Sequence, residues 1–158
     1  MILYAQFVLG HYSSCFHIED ATNSLGLTFG YSSEDVMAFL EQRDSSQLLC
    51  YQEFLKIWDG IFPVLYTFMY VLWIKYFFTK WRYLALIPIL HMIIDWSENA
   101  IEIILVDQYL TSGSIIDDWV FLGSTVTISK WALSFLTYGI ILYGIIIKLR
   151  QQFKSESD

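Results

Sequence analysis

Charge is what this sequence has least of. Of its 158 residues only 16% are charged, against 56% hydrophobic and 18% aromatic. Soluble domains carry about 25% charged residues, and the mean hydropathy of +0.47 agrees with the deficit. A soluble chain of this size could not cover so much apolar surface without large sticky patches. The same content excludes a disordered chain. Basic residues are scarcer still: nine Lys and Arg against sixteen Asp and Glu give a net charge of −7. No basic surface is left for nucleic acid. Cysteine occurs only twice and without Cys-x-x-Cys spacing, which supports neither a disulfide scaffold nor a zinc or thioredoxin-type motif. The apolar start, residues 1–10, has no preceding basic residues and no small-residue cleavage site, so it does not read as a conventional signal peptide. What remains is a small integral membrane protein.

A spanning helix needs roughly 20 mostly apolar residues, and three stretches supply them: 60–78, 83–106 and 119–147. Proline, also present only twice, falls at Pro63 and Pro88. Pro63 is expected in the first turn of its span, where a missing N–H costs nothing. Pro88 is expected further inside the next one, kinking it or freeing a carbonyl. A fourth apolar stretch, 1–18, carries His11 and His17 and sits at the lower length limit. It reads as a short or slanted first span, with an interfacial segment as the alternative.

The few charges are sorted by position. Lys75, Lys80 and Arg82 lie between the first two long spans, and Lys148, Arg150 and Lys154 lie in the tail. The loop before the last span offers Asp107, Asp117 and Asp118, and residues 19–59 carry eight acids against Arg43 and Lys56. The positive-inside rule then places 19–59 outside and the C-terminus in the cytoplasm, as in a bacterial inner membrane. Trp58 and Trp119 on one side, and Trp73, Trp81 and Tyr83 on the other, suit aromatic belts. Within 19–58, Ser32 with Glu34 and Asp35 reads as a helix start. Ser45 then caps a second helix whose Leu48, Tyr51, Phe54, Leu55 and Trp58 share a face. This is expected to be an amphipathic cap lying over the bundle mouth. Cys15 and Cys50 both fall near this outer side; two free, buried cysteines are expected, against the alternative of a bridge in an oxidising compartment.

The informative residues are polar ones where polarity is expensive. His91, Asp95, Glu98 and Glu102 are spaced 4, 3 and 4, which puts them on one helix face. That face must look into the bundle rather than at lipid. Asp95 is expected roughly 16 Å below the outer end, with Glu102 approaching the surface. Counting down the last span brings Lys130 level with Asp95 and within reach of Glu98. Tyr66 and Tyr70 lie at similar depth, Asp59 at the outer mouth, and Asn99 and Thr127 nearby. The expected site is a buried Lys130–Asp95/Glu98 pair hydrogen-bonded by tyrosines and hydroxyls.

Such a ladder fixes helix register and pairing in a bilayer, so the leading expectation is a non-enzymatic structural or partner-binding membrane protein. Its partners would be the lipid, a membrane protein or a second copy. The alternative is an ion- or small-ligand-binding or transport protein using the intramembrane carboxylates. A third reading is a metal-dependent intramembrane enzyme, with His11, His91, Asp95 and Glu98 as candidate ligands for haem or a divalent metal. No cofactor is expected, since no paired-ligand motif supports one. Ser97 with His91 and Asp95 has the residue types of a triad, but its side chain is turned about 120° from Asp95.

Four elements carry a resemblance: Gly30-Tyr31-Ser32-Ser33-Glu34-Asp35; Asp59-x-x-Phe62-Pro63-x-x-Tyr66; Asp95-x-x-Glu98-Asn99; and Thr127-x-x-Lys130-Trp131. Over residues 25–135 the chain resembles an uncharacterised family of small bacterial four-helix membrane proteins. The resemblance implies four helices with a helical extracytoplasmic segment between the first two spans, and no assigned activity. The first span here is shorter than that pattern. The expectation is therefore a single, all-α membrane domain over 1–158: a transmembrane bundle of four (at least three) spans. It comprises a first span 1–18, an extracytoplasmic helical cap 19–58, spans 60–78, 83–106 and 119–147, and a cytoplasmic tail 148–158.

Overall fold

The computed structural model describes residues 2–19 and 24–155; residue 1, residues 20–23 and residues 156–158 lie outside the described residues. These undescribed positions belong to the predicted first span, cap and tail. The described chain forms five helices and no strand: α1 (residues 2–15), α2 (Ser33–Glu41), α3 (Ser45–Phe77), α4 (Leu86–Ser112) and α5 (Asp117–Ser155). Two stretches, Ser45–Phe77 and Asp117–Phe153, are long and apolar enough to cross a membrane. α4 is a comparable length, but Asp95, Glu98 and Glu102 interrupt its apolar run.

α2 and α3 both begin with reciprocal caps. Ser32 Oγ accepts from Asp35 N at 3.2 Å while Asp35 Oδ2 accepts from Ser32 N at 2.8 Å. At α3 the cap is Asp44 rather than the expected Ser45: Asp44 Oδ1 accepts from Gln47 N at 2.9 Å and Gln47 Oε1 accepts from Asp44 N at 3.0 Å. A carboxylate one residue earlier reaches the orphan amides of the first turn and competes out the serine. Both carboxyls are held below the usual carboxylate range. For Asp35 the cause is first the Ser32 amide and then its hydroxyl; for Asp44 it is first the Ser46 hydroxyl and then the Gln47 amide.

The cap helix and the span expected from residue 60 form one continuous helix. α3 runs straight through by way of a π-helical stretch, Leu55–Asp59, so Pro63 lies inside a helix rather than at its start. Proline lacks the N–H that would bond four residues back, and its ring crowds that carbonyl. A π turn just upstream widens the helix there and lets it continue. Pro88 departs from expectation in the other direction. Helix α4 starts at Leu86 after a 3-10 turn, Arg82–Ala85, so Pro88 sits in the first turn and removes no intrahelical bond. Its carbonyl accepts from Thr67 Oγ1 at 3.1 Å. The far end of α4 closes on Gly113 at φ 69°, a left-handed cap that satisfies Tyr109 O at 2.8 Å.

α1 is shorter than a span, rising about 20 Å, and lies lengthwise against the middle of α3. Tyr4 stacks on Phe62 at 5.9 Å and donates to Trp58 O at 2.8 Å, while Tyr12 stacks on Trp58 at 3.7 Å. Its C-terminal end is fastened covalently. Cys15 and Cys50 form a disulfide with Cα atoms 6.4 Å apart, and neither is buried, correcting the expectation of free, buried cysteines. Two apolar clusters fill the bundle. One, at the end capped by α2, gathers Phe16, Val36, Leu40, Tyr51, Leu105 and Val120 among others. The other, toward the opposite end, centres on Tyr66, Tyr70, Ile74 and Ile141. Asp95, Glu98 and Lys130 lie between the two, while Glu102 reaches into the capped cluster through Tyr51.

Candidate functional site

The face predicted on α4 is buried along its whole length: His91 is 5% exposed, Asp95 7%, Glu98 1% and Glu102 1%. Asp95 and Glu98 share Lys130 and each has a further partner. Lys130 of α5 pairs with Glu98 and donates to Gly26 O at 2.9 Å, with Asp95 Oδ1 at 3.6 Å. Thr127, one turn before it, donates to Glu98 Oε1 at 2.5 Å. From α3, Tyr66 donates to Asp95 Oδ2 at 2.8 Å, and Asp59 accepts from Asn99 Nδ2 at 2.9 Å. The expected Lys130–Asp95/Glu98 pair with its tyrosine and hydroxyl partners is thus assembled by three helices.

Two members of the predicted cluster have partners of another kind. Tyr70 is one turn beyond Tyr66, lines the same space, and meets Tyr138 of α5, hydroxyls 3.2 Å apart. Glu102 does not approach a surface: it lies in the capped cluster and accepts a hydrogen bond from Tyr51. The reason is that the α2–α3 cap covers this end of α4, so depth counted from the helix end underestimates burial. Gln52, one residue on, donates to Ile103 O at 3.1 Å and Asp107 Oδ1 at 2.7 Å.

The segment before α2 closes the lysine in. Besides Gly26 O on Lys130, Thr28 O accepts from Trp131 Nε1 at 2.8 Å, and Tyr31 N donates to Ser124 Oγ at 2.9 Å. Gly26 lets the loop approach closely: a Cβ there would lie 2.9 Å from Glu98 Oε2 and 3.1 Å from Lys130 Nζ, so the ends of the paired side chains would have to shift. Gly26, Thr28 and Tyr51 were not foreseen as site residues. Their positions depend on how a loop folds back over the bundle, which periodicity does not encode; only the glycine hinted at a close approach.

Beside the ion pair is a cavity of about 330 Å³. Asp59, Tyr66, His91, Asp95, Glu98 and Lys130 line it, with Leu9, Gly10 and Ser13 of α1 forming one wall. His91 stacks on Tyr66 at 4.8 Å, and its Nδ1 is a buried polar atom with no hydrogen-bond partner. Such an atom costs about 1–3 kcal/mol when unsatisfied. His11 is exposed and meets Tyr12 edge-on at 5.0 Å; among the described residues it is not in the cavity wall with His91. Among the described residues, no three or more His, Cys, Asp or Glu side chains converge as a metal-holding group. Ser97 bonds back to Ile93 O at 2.9 Å on the exposed side of α4, as its helical angle to Asp95 required. Comparison with family models, with curated proteins and with solved structures finds no match.

Proposed function

We propose that this chain is a multi-pass integral membrane protein of non-enzymatic type whose acid–lysine cavity binds a small ligand within the bilayer. The open cavity at the polar layer carries this reading. A ladder that served helix register alone would be met by close packing, because interiors leave few voids larger than a water. Here about 330 Å³ stays open against Asp59, Asp95 and the unpartnered Nδ1 of His91. The Lys130–Glu98–Thr127 contact keeps the structural role, pinning α4 to α5. A second helix pair is pinned by Tyr66–Asp95.

Membrane insertion of α4 is supported by its outer face, where Leu86, Ile89, Leu90, Ile93 and Trp96 are exposed while Asp95, Glu98 and Glu102 are buried. α1 supplies the fourth, shorter helix of the bundle. The orientation follows the basic residues near Lys75–Arg82 and Lys148–Arg150, which mark the cytoplasmic side of an inner membrane. The Cys15–Cys50 bridge on the opposite side supports the same assignment, since such bonds persist in oxidising compartments.

Native mass spectrometry of the protein extracted from membranes tests the ligand. Wild type is expected to carry a non-covalent adduct that is lost in Ser134→Trp, which places an indole in the cavity wall where Ser134 is 5% exposed. Bare wild type, or an adduct retained by a folded Ser134→Trp, would overturn the reading.

A further inference from the structure

The polar cavity shares two of its lining residues with a second space. Tyr70 and Tyr138, with rings edge-on at 5.7 Å, border both the cavity and a second space, a groove of about 560 Å³. That groove continues between α3 and α5 past Met69, Trp73, Ile141, Leu142 and Ile145, flanked by Ile2 and Leu3 of α1. Its walls are mostly apolar, and at the boundary Tyr70 donates a hydrogen bond to Tyr138 at 3.2 Å. A charged compartment bordering an apolar one across a single tyrosine pair has the profile of an amphiphile.

The chemistry of the head follows from which groups are already engaged. Asp59, Asp95 and Glu98 line the cavity with Lys130 as their only cationic partner among the described lining residues. The Lys130 ammonium has three hydrogens, and Gly26 O, Glu98 and Asp95 surround it. A phosphate or sulfate head would find that donor occupied and would meet uncompensated carboxylates. A protonated amine meets acceptors instead: the Asp59 and Asp95 carboxylates, and His91 Nδ1 in the tautomer that carries its proton on Nε2. The rings of Phe62, Tyr66 and Tyr70 on the α3 side add the faces that favour cations.

We propose that cavity and groove together hold one amphiphile with a protonated amine head and a single alkyl chain. The ammonium lies against Asp59, Asp95 and His91, and the chain passes the Tyr70–Tyr138 pair to lie along Trp73. This rests on the ligand-binding reading above and names its ligand class.

The test uses the full chain in lipid nanodiscs and an alkylamine brominated at its chain end, because bromine quenches indole fluorescence on contact. Saturable quenching is expected with the amine and not with the alkyl phosphate or alcohol of the same chain. It is expected to vanish in Trp73→Phe and to require about tenfold more amine in Asp95→Asn, the loss of one charge-assisted hydrogen bond. Asp59→Asn gives the same weakening and serves if Asp95→Asn does not fold. Equal saturable binding of the phosphate or alcohol overturns the amine head. Saturable quenching kept by Trp73→Phe overturns the groove, and its absence with the amine overturns the whole proposal. An adduct seen by mass spectrometry that is not an amine-headed amphiphile would sink this inference and leave the ligand-binding reading standing.

Discussion

At the scale of single residues, Lys130 decides the most. Its ammonium is the common partner of Glu98, Asp95 and the Gly26 carbonyl. Lys130→Met keeps the volume and strands two buried carboxylates, a change that costs about 3–5 kcal/mol when a buried pair is broken from one side. Equilibrium unfolding of the purified protein should show that loss, and Lys130→Met/Glu98→Leu should recover part of it. A double variant as unstable as the single one would argue that packing of the lysine stem, not charge, is at stake. Gly26→Ala should act on the same pair without touching either partner, because the added Cβ falls between Glu98 and Lys130. The expected reading is a lower unfolding midpoint in the single variant, and little further loss when Gly26→Ala is added to Lys130→Met, a non-additive pair of neighbours. The α4 members of this site were legible in the sequence because the 4, 3, 4 spacing is a helix face whatever surrounds it. Lys130 was legible because a helix rises by a fixed amount per residue. Gly26 was not, since a loop has no period from which to count.

Elements were legible in proportion to how far local rules control them. The start at Ser32 follows from side chains within one turn, and the structure keeps it. The span start at Gly60, with Pro63 in its first turn, was read from composition alone, and the helix instead absorbs Pro63 downstream of the Leu55–Asp59 turn. A proline's effect depends on its distance from the helix start, and neither start was where hydropathy placed it. The two capping boxes give a prediction with a definite sign. Asp35 and Asp44 titrate below their ordinary values in the folded state, so their contribution is fully present above the unfolded carboxylate pKa near 3.9. It is lost as pH falls through the lower folded values. Protection of the amides in the first turns of α2 and α3, taken relative to the intrinsic exchange rate at each pH, should therefore fall below about pH 4, while the α4–α5 contact stays protected. Asp44→Asn retains the cap, since asparagine accepts the same amide bond, and should remove the acid sensitivity at α3. Unchanged acid sensitivity in that variant would place its origin elsewhere.

For the whole molecule, the arrangement joins a covalent clasp to a polar layer between two apolar clusters. Cys15 and Cys50 are 35 residues apart in sequence, and closing that loop restricts the unfolded chain by about 4 kcal/mol in the chain-entropy model. Counting cysteines could not reveal the bond, because pairing depends on α1 lying beside α3, a contact made by Tyr4 and Tyr12 rather than by any motif. The clasp also holds one wall of the cavity, since Leu9, Gly10 and Ser13 precede Cys15 by at most two turns. Cys15→Ser/Cys50→Ser should therefore lower stability by about that amount and separately loosen ligand retention, read as a weaker adduct at a temperature where the bundle remains folded. Loss of stability with full retention would show that α1 docks through its aromatic contacts alone. The same cysteine-free background tests the orientation. An impermeant maleimide applied to intact cells should label Ser114→Cys, in the exposed turn between α4 and α5, and should label Gln152→Cys only after permeabilisation. Labelling of Gln152→Cys in intact cells would invert the bundle and place the disulfide in a reducing compartment, which the persistence of such a bond argues against.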